Sequence, residues 1–164
     1  MSQENRSVYP QAFPMTFEEV EHFLDQPLIA KFSSHNKDGT IHTVPIWFKY
    51  HEGEVLLGTQ EISQKVQNIK RDSRVTVLVD TTEPELKGVI IYGNATLDYQ
   101  DVITKRISIF KRYLDPEDAP GLAANLAKKW TPVLIRIKPT QIISFDYSKG
   151  FGLGSGKETT KIVI

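Results

Sequence analysis

Apolar and polar residues alternate through most of residues 28–97 and again over 133–147, the period of strands buried on one face. The pattern predicts strands at 28–34, 40–50, 55–59, 75–80, 89–97, 133–137 and 141–147. The turns Asn36-Lys-Asp-Gly39 and His51-Glu-Gly-Glu54 place glycine after an acidic residue between apolar runs, a hairpin signal. Residues 75–80 are almost all β-branched or apolar, as in a strand covered on both faces.

Helical spacing interrupts the strands at four places. Thr16-Phe-Glu-Glu19 is a capping box: Thr16 caps a helix and Glu19 reaches back to its N–H. That helix carries Val20, Phe23 and Leu24 on one face and stops before Pro27. A second, 63–71, turns Val66 and Ile69 inward, and a third, 99–113, aligns Val102, Ile103, Arg106, Ile107 and Phe110. Asp115 as N-cap and Pro116 at the first helical position start a fourth, which runs to about residue 129. Residues 1–14 read as an extended arm, and 150–164 as a flexible glycine-rich tail. Residues 1–164 are thus expected to form a single, mainly β domain: a small β-barrel with α-helices packed outside it.

Composition narrows the function. At 164 residues the chain is long enough for one domain with a real core. Twenty Lys+Arg balance twenty Asp+Glu, so the basic excess of a nucleic-acid binder is missing. With no cysteine, disulfides, thiol nucleophiles and thiolate metal sites are excluded. No apolar run approaches the ~20 residues that span a bilayer, and the polar start of the chain lacks a secretory core. The expectation is a cytoplasmic protein with no nucleic-acid or membrane partner.

Several constellations fail as chemistry. The four histidines, His22, His35, His42 and His51, have no i,i+4 pairing and no acidic partner at ligand spacing, although His35 and His42 flank one hairpin turn. No metal site is expected. No Gly-x-Ser-x-Gly elbow accompanies Ser33, Ser34, His35 and Asp38. The tail Gly150-Phe-Gly-Leu-Gly-Ser-Gly-Lys157 fails the phosphate-loop pattern at Phe151 and Glu158. More telling is Val44-Pro-Ile-Trp-Phe-Lys49, followed by Leu57-Gly-Thr-Gln-Glu-Ile-Ser-Gln-Lys65. Strand, hairpin, strand and helix start converge there, aiming backbone N–H groups, the Ser63 hydroxyl, the Gln64 amide and the Lys65 ammonium at one point. That set suits a phosphate, although any hairpin followed by a capped helix looks similar.

Taken in order, residues 28–34, Asn36-Lys-Asp-Gly39, 44–49, 59–65, Asn68-Ile-Lys-Arg-Asp-Ser-Arg-Val75 and 88–93 resemble the pyridoxamine 5′-phosphate oxidase-related, FMN-binding split-barrel proteins. The likeness runs over about residues 16–147. It implies a six-stranded split barrel, a homodimer, and a flavin in each groove at the dimer interface. Val44, Pro45, Ile46, Trp47 and Lys49 would then run beside the flavin ring, and Thr59, Ser63, Gln64 and Lys65 would hold its phosphate. Lys65 falls on the family's phosphate lysine, and Gln64 where an arginine often sits. Lys87, with Gly88, falls where the oxidases place a flavin contact from the partner subunit.

The true oxidases carry arginine at the position of Val44, and a C-terminal arginine and histidine that Asp146-Tyr-Ser-Lys-Gly150 does not match. The resemblance therefore implies an oxidoreductase acting on another small molecule with FMN, or with the deazaflavin F420. A flavin or haem binder without catalysis and a cofactor-free dimeric interaction module are the remaining alternatives. Hydride transfer is the cofactor's chemistry, so no catalytic side chain is assigned.

Overall fold

The computed structural model describes residues 12–151. In chain order the elements are β1 (Ala12–Phe13), α1 (Phe17–Leu24), β2 (Ala30–His35), β3 (Ile41–Ile46), β4 (Phe48–His51), β5 (Glu54–Gln60), α2 (Gln64–Arg71), β6 (Arg74–Thr81), β7 (Lys87–Asp98), α3 (Val102–Phe110), α4 (Asp118–Lys129) and β8 (Pro132–Phe151). The eight strands form one antiparallel sheet in the order β3-β2-β6-β7-β8-β5-β4, with β1 added to β8.

The two edge strands, β3 and β4, are consecutive in the chain with only Trp47 between them. The sheet must therefore curl until its edges meet at that residue. The inward side chains then fill one interior: Phe32 from β2, Phe48 from β4, Leu57 from β5, Val77 from β6, Ile91 from β7 and Ile135 from β8 belong to a single buried cluster. Val66 and Ile69 of α2 close one end of it. A second apolar layer lies outside the barrel, where α3 and α4 bury Val102, Ile109, Ala119 and Ala123 against Leu56 and Leu134.

Local chemistry explains the elements that match the sequence. The Thr16 capping box forms, with Glu19 N–H donating to Thr16 Oγ1 at 3.2 Å and Thr16 N–H donating to Glu19 Oε2 at 2.6 Å. The β4–β5 hairpin turns through Glu52 and Gly53 at φ 51° and 78°, both left-handed, which fits the twist of paired strands.

Four expectations are corrected. The sheet has eight strands rather than six: β1 forms inside the expected arm, and the strand expected over 40–50 breaks at Trp47. At that break the Phe48 N–H donates to the Tyr113 hydroxyl at 3.1 Å instead of continuing a ladder. The two strands expected at 133–137 and 141–147 are one strand, β8, which takes up Pro139 and Thr140 at an irregularity opposite Tyr92 and Gly93. A Cβ on Gly93 would stand 2.6 Å from the Lys138 carbonyl oxygen, so glycine lets the strands stay close there. The regular helix of α4 begins at Asp118, because Asp115 caps a turn that precedes it by accepting the Glu117 N–H at 3.2 Å. Finally, β6 is buried on one face only: Val75, Val77 and Val79 point inward, while Thr76, Leu78 and Asp80 are half-buried on the outside. The expected arm 1–11 and tail 152–164 lie outside the described residues.

Tyr113 holds the break open. Its hydroxyl accepts from Phe48 N–H and donates to the Leu28 carbonyl at 2.8 Å, while its ring stacks on Trp47 at 5.0 Å and 3°. Tyr113→Phe keeps the ring and strands both backbone groups, which costs about 1–3 kcal/mol. Urea unfolding should show a lower midpoint with an unchanged slope. An unchanged midpoint would show that the hydroxyl does not hold the crossing.

Candidate functional site

β4 pairs with β5 only from Glu54 to Leu57, so Gly58, Thr59 and Gln60 are paired to β8 alone. The side of β5 that faces β3 is uncovered there, and the chain leaves it through Glu61 and Ile62 into α2. Thr59 follows the inward alternation of Val55 and Leu57 and is 3% exposed. Ser63 is the N-cap of α2 but makes no side-chain capping bond. Its hydroxyl instead accepts from Thr59 Oγ1 at 3.3 Å, and Thr59 Oγ1 accepts from Lys65 Nζ at 3.1 Å. Val66 and Gln67 N–H reach back to the Ser63 carbonyl. The Gln64 and Lys65 N–H groups therefore face out of the helix start, with no partner inside the helix.

Lys65 is the electrostatic centre of this cradle. Burial alone lowers its pKa, and no carboxylate offsets that penalty. An ammonium kept half-buried beside two hydroxyls and free N–H groups is matched to an anion.

Gln64 turns away from the hydroxyls: its Nε2 donates to Asn68 Oδ1 at 2.9 Å. Asn68 is fully buried and ties α2 to the β2–β3 hairpin through Ser34 Oγ at 3.1 Å and Asn36 Oδ1 at 3.0 Å. Sequence reasoning gave Asn68 no role. The signal was a polar residue between Val66 and Ile69 on the inward face of the helix.

The remaining predicted residues separate. Val44 and Ile46 pack on the barrel interior opposite Phe32 and Ala30, and Pro45 is exposed on the outer face of the edge strand β3. Trp47 packs edge-on to Phe110 at 5.6 Å in addition to its stack on Tyr113. Lys49 lies opposite Leu56, on the sheet face covered by α3 and α4, and so on the opposite face from Thr59. Lys87 stands between Thr81 and Asp146 beside a hollow of 290 Å³ near Glu18 and His22 of α1, apart from Lys65 in the same chain. His35 and His42 are not opposite one another; Ser34 pairs with His42 and His35 with Ile41. Among the described residues, no three His, Asp or Glu side chains gather as a metal site.

The family model described as pyridoxamine 5′-phosphate oxidase matches residues 16–145. The chain belongs to the pyridoxamine 5′-phosphate oxidase family. No curated relative matches it by sequence. Among solved structures, a conserved hypothetical protein from Mycobacterium tuberculosis superposes with a TM-score of 0.75 at 24% identity, covering 96% of this chain and 98% of that one. A structure described as an F420 reductase gives 0.61 at 18% identity, over 79% and 98%. The heme storage protein HutZ from Vibrio cholerae gives 0.62 at 17%, over 84% and 96%. At these identities the likenesses show that the oxidase-family fold is shared. No helix among the described residues is long and apolar enough to cross a membrane.

The cost of the Lys65 ammonium gives a test. Between its lowered pKa and the ordinary lysine value of 10.5, the unfolded chain binds more protons than the folded one, so stability from this group rises with pH. Below that window the penalty is fully present. Lys65→Met should therefore raise the Tm of ligand-free protein at pH 7, with the gain shrinking as pH approaches 10. A Tm that falls at pH 7 would show that the ammonium is not a burden in the free protein.

Proposed function

We propose that the protein is an oxidoreductase that binds a flavin-type cofactor, FMN in the first instance, in the split between β3 and the uncovered half of β5. The observation that carries this reading is Lys65: a half-buried ammonium at the start of α2, bonded to Thr59 and with no carboxylate partner among the described residues. Family membership supports it. In this reading Lys65, the Thr59 and Ser63 hydroxyls and the first N–H groups of α2 hold the phosphate, while the Gln64 side chain stays on Asn68. The free edge of β3 at Val44 and Ile46 offers backbone donors and acceptors to the polar rim of the ring. Pro45 has no N–H, so the residues beside it supply the donors. Trp47, locked by Tyr113 and Phe110, fixes where that edge ends.

A bound flavin supplies hydride acceptance and donation. The chain's part is binding, orientation and water exclusion, with a small molecule as the second substrate. F420 is the alternative cofactor, since it presents a related ring and a phosphate to the same cradle, and the F420 reductase in this fold favours keeping it. Lys49 would bear on either cofactor only from the far face of the sheet.

The outer face of the sheet supports a homodimer. Leu78, Ile90 and Ile143 are aligned there in register across β6, β7 and β8 and are half-buried, and Tyr92 is exposed at a groove of 660 Å³. Among the described residues, none of these three packs into either apolar cluster. The family resemblance implies that the partner's Lys87 reaches the ring.

Titration of purified protein with FMN, F420 and riboflavin, followed by fluorescence, tests the cofactor. FMN should bind more tightly than riboflavin, and Lys65→Ala should weaken FMN about 10- to 100-fold while leaving riboflavin unchanged. Equal affinity for FMN and riboflavin would remove the phosphate cradle from the account. Light scattering tests assembly: the wild type should be dimeric and Leu78→Glu monomeric. A Leu78→Glu dimer would place the interface elsewhere.

A further inference from the structure

On the basis of that cofactor reading, we infer that Asn68 is a positioning residue: it fixes the distance between the phosphate cradle on α2 and the ring edge on β3, and so selects the length of the cofactor's linking chain.

A cofactor held in this way bridges two parts of the molecule that share no ladder. β3 and β4 are the two ends of the sheet order, and Gly58, Thr59 and Gln60 pair with β8 alone. Backbone pairing therefore does not set how far α2 stands from β3. Val66 and Ile69 hold α2 on the end of the barrel, but apolar burial is non-directional. Among the described residues, the hydrogen bonds from α2 to the β2–β3 hairpin come from Asn68 and Arg71.

The Asn68 amide is fully buried and saturated. Its Nδ2 donates to Ser34 Oγ at 3.1 Å and to Asn36 Oδ1 at 3.0 Å, and its Oδ1 accepts from Gln64 Nε2 at 2.9 Å and from Arg71 Nη2 at 3.0 Å. A guanidinium only donates, so the atom that meets Arg71 is the amide oxygen, and the two Nδ2 hydrogens are left for the hairpin. Arg71 also donates to the His35 carbonyl. Three successive hairpin residues, Ser34, His35 and Asn36, are thereby tied to α2. Ser34 is the next inward residue after Ala30 and Phe32, which stand opposite Ile46 and Val44. Asn68 lies three residues beyond Lys65, about 4.5 Å of helix rise. His42, opposite Ser34, is two residues from Val44, about 7 Å of strand. One side chain thus joins the cradle to the ring edge by a short path. A saturated buried amide resists displacement, because any shift leaves a buried donor or acceptor unpaired. Binding ring and phosphate together gains affinity only when the linking chain matches the span between their sites.

The probes are riboflavin, FMN and the FMN homologue with one more carbon between ring and phosphate, each titrated into the full chain by fluorescence. The wild type should bind FMN about tenfold more tightly than the homologue. The double variant Ser34→Ala/Asn36→Ala removes both acceptors of Asn68 Nδ2 and alters neither the cradle nor the ring edge. It should weaken FMN about tenfold, leave riboflavin unchanged, and bring FMN and the homologue within about twofold of each other. In a Lys65→Ala background the same pair of changes should have no further effect on FMN, since the phosphate contact is already lost. Arg71→Lys keeps the charge at an exposed position and should reduce the length preference in the same direction; it decides the matter if the double variant does not fold. A purely structural Asn68 would lower the Tm of these variants while the three probes kept their relative affinities. That result, a wild type that binds FMN and the homologue equally, or an effect that adds to that of Lys65→Ala, overturns the inference and leaves the phosphate reading standing. A wild type that binds FMN no more tightly than riboflavin brings down the phosphate reading, and the inference with it.

Discussion

The hydroxyl of Tyr113 decides whether this molecule has a site. A β-strand that ran unbroken from Ile41 to His51 would pair along all of β5 and seal Thr59 behind a ladder. Instead the Phe48 N–H and the Leu28 carbonyl are both satisfied by one side chain from beyond α3, and its ring lies flat on Trp47. Buried backbone groups must find partners, so a break in a ladder persists only where something replaces the lost bonds. Tyr113 is that replacement. The outer layer of helices therefore keeps the split open as well as burying the apolar outer face of β5 and β8.

The same strand, β5, separates two cations that the fold keeps from bulk water. On its inner side Lys65 is half-buried beside Thr59. On its outer side Arg106 is 2% exposed, with its guanidinium carbon 5.4 Å from the centre of the Phe110 ring and its Nε and Nη1 without hydrogen-bond partners. Burial lowers the pKa of both. The ring face of Phe110 compensates Arg106 in part. Lys65 has only hydroxyls, and that difference separates a structural cation from one left available to a ligand.

The sequence carried the strands, the turns and the cradle residues because those depend on local rules: alternation, glycine after an acidic residue, and polar groups at a helix start. It did not carry the break at Trp47. The reason is physical: residues 40–50 are good strand formers, and the cause of the break is a tyrosine more than sixty positions away. The gap expected between residues 137 and 141 failed in the opposite direction: the strand runs through Pro139, and an irregularity absorbs it because Gly93 opposite lets the backbones approach. Lys49 was expected beside the flavin ring from the family resemblance, and strand alternation puts it on the other face of the sheet from Thr59. Asn68 was legible as a polar residue on an inward helix face, but its partners Ser34 and Asn36 come only with the hairpin's position.

β8 pairs with β1, β5 and β7, with Ala12 opposite Phe151 at one extreme of its register and Gln60 opposite Pro132 at the other. It is also the last element of the described chain to leave the ribosome. Until it arrives, the nascent protein holds β5 and β7 as unpaired edges, with Leu57 and Ile91 uncovered in a half-built interior. Barrel closure is thus a late, long-range event, the slow kind of strand pairing. For as long as synthesis of the last strand takes, the molecule is an open, sticky sheet whose safety rests on the cell's chaperones and on translation speed.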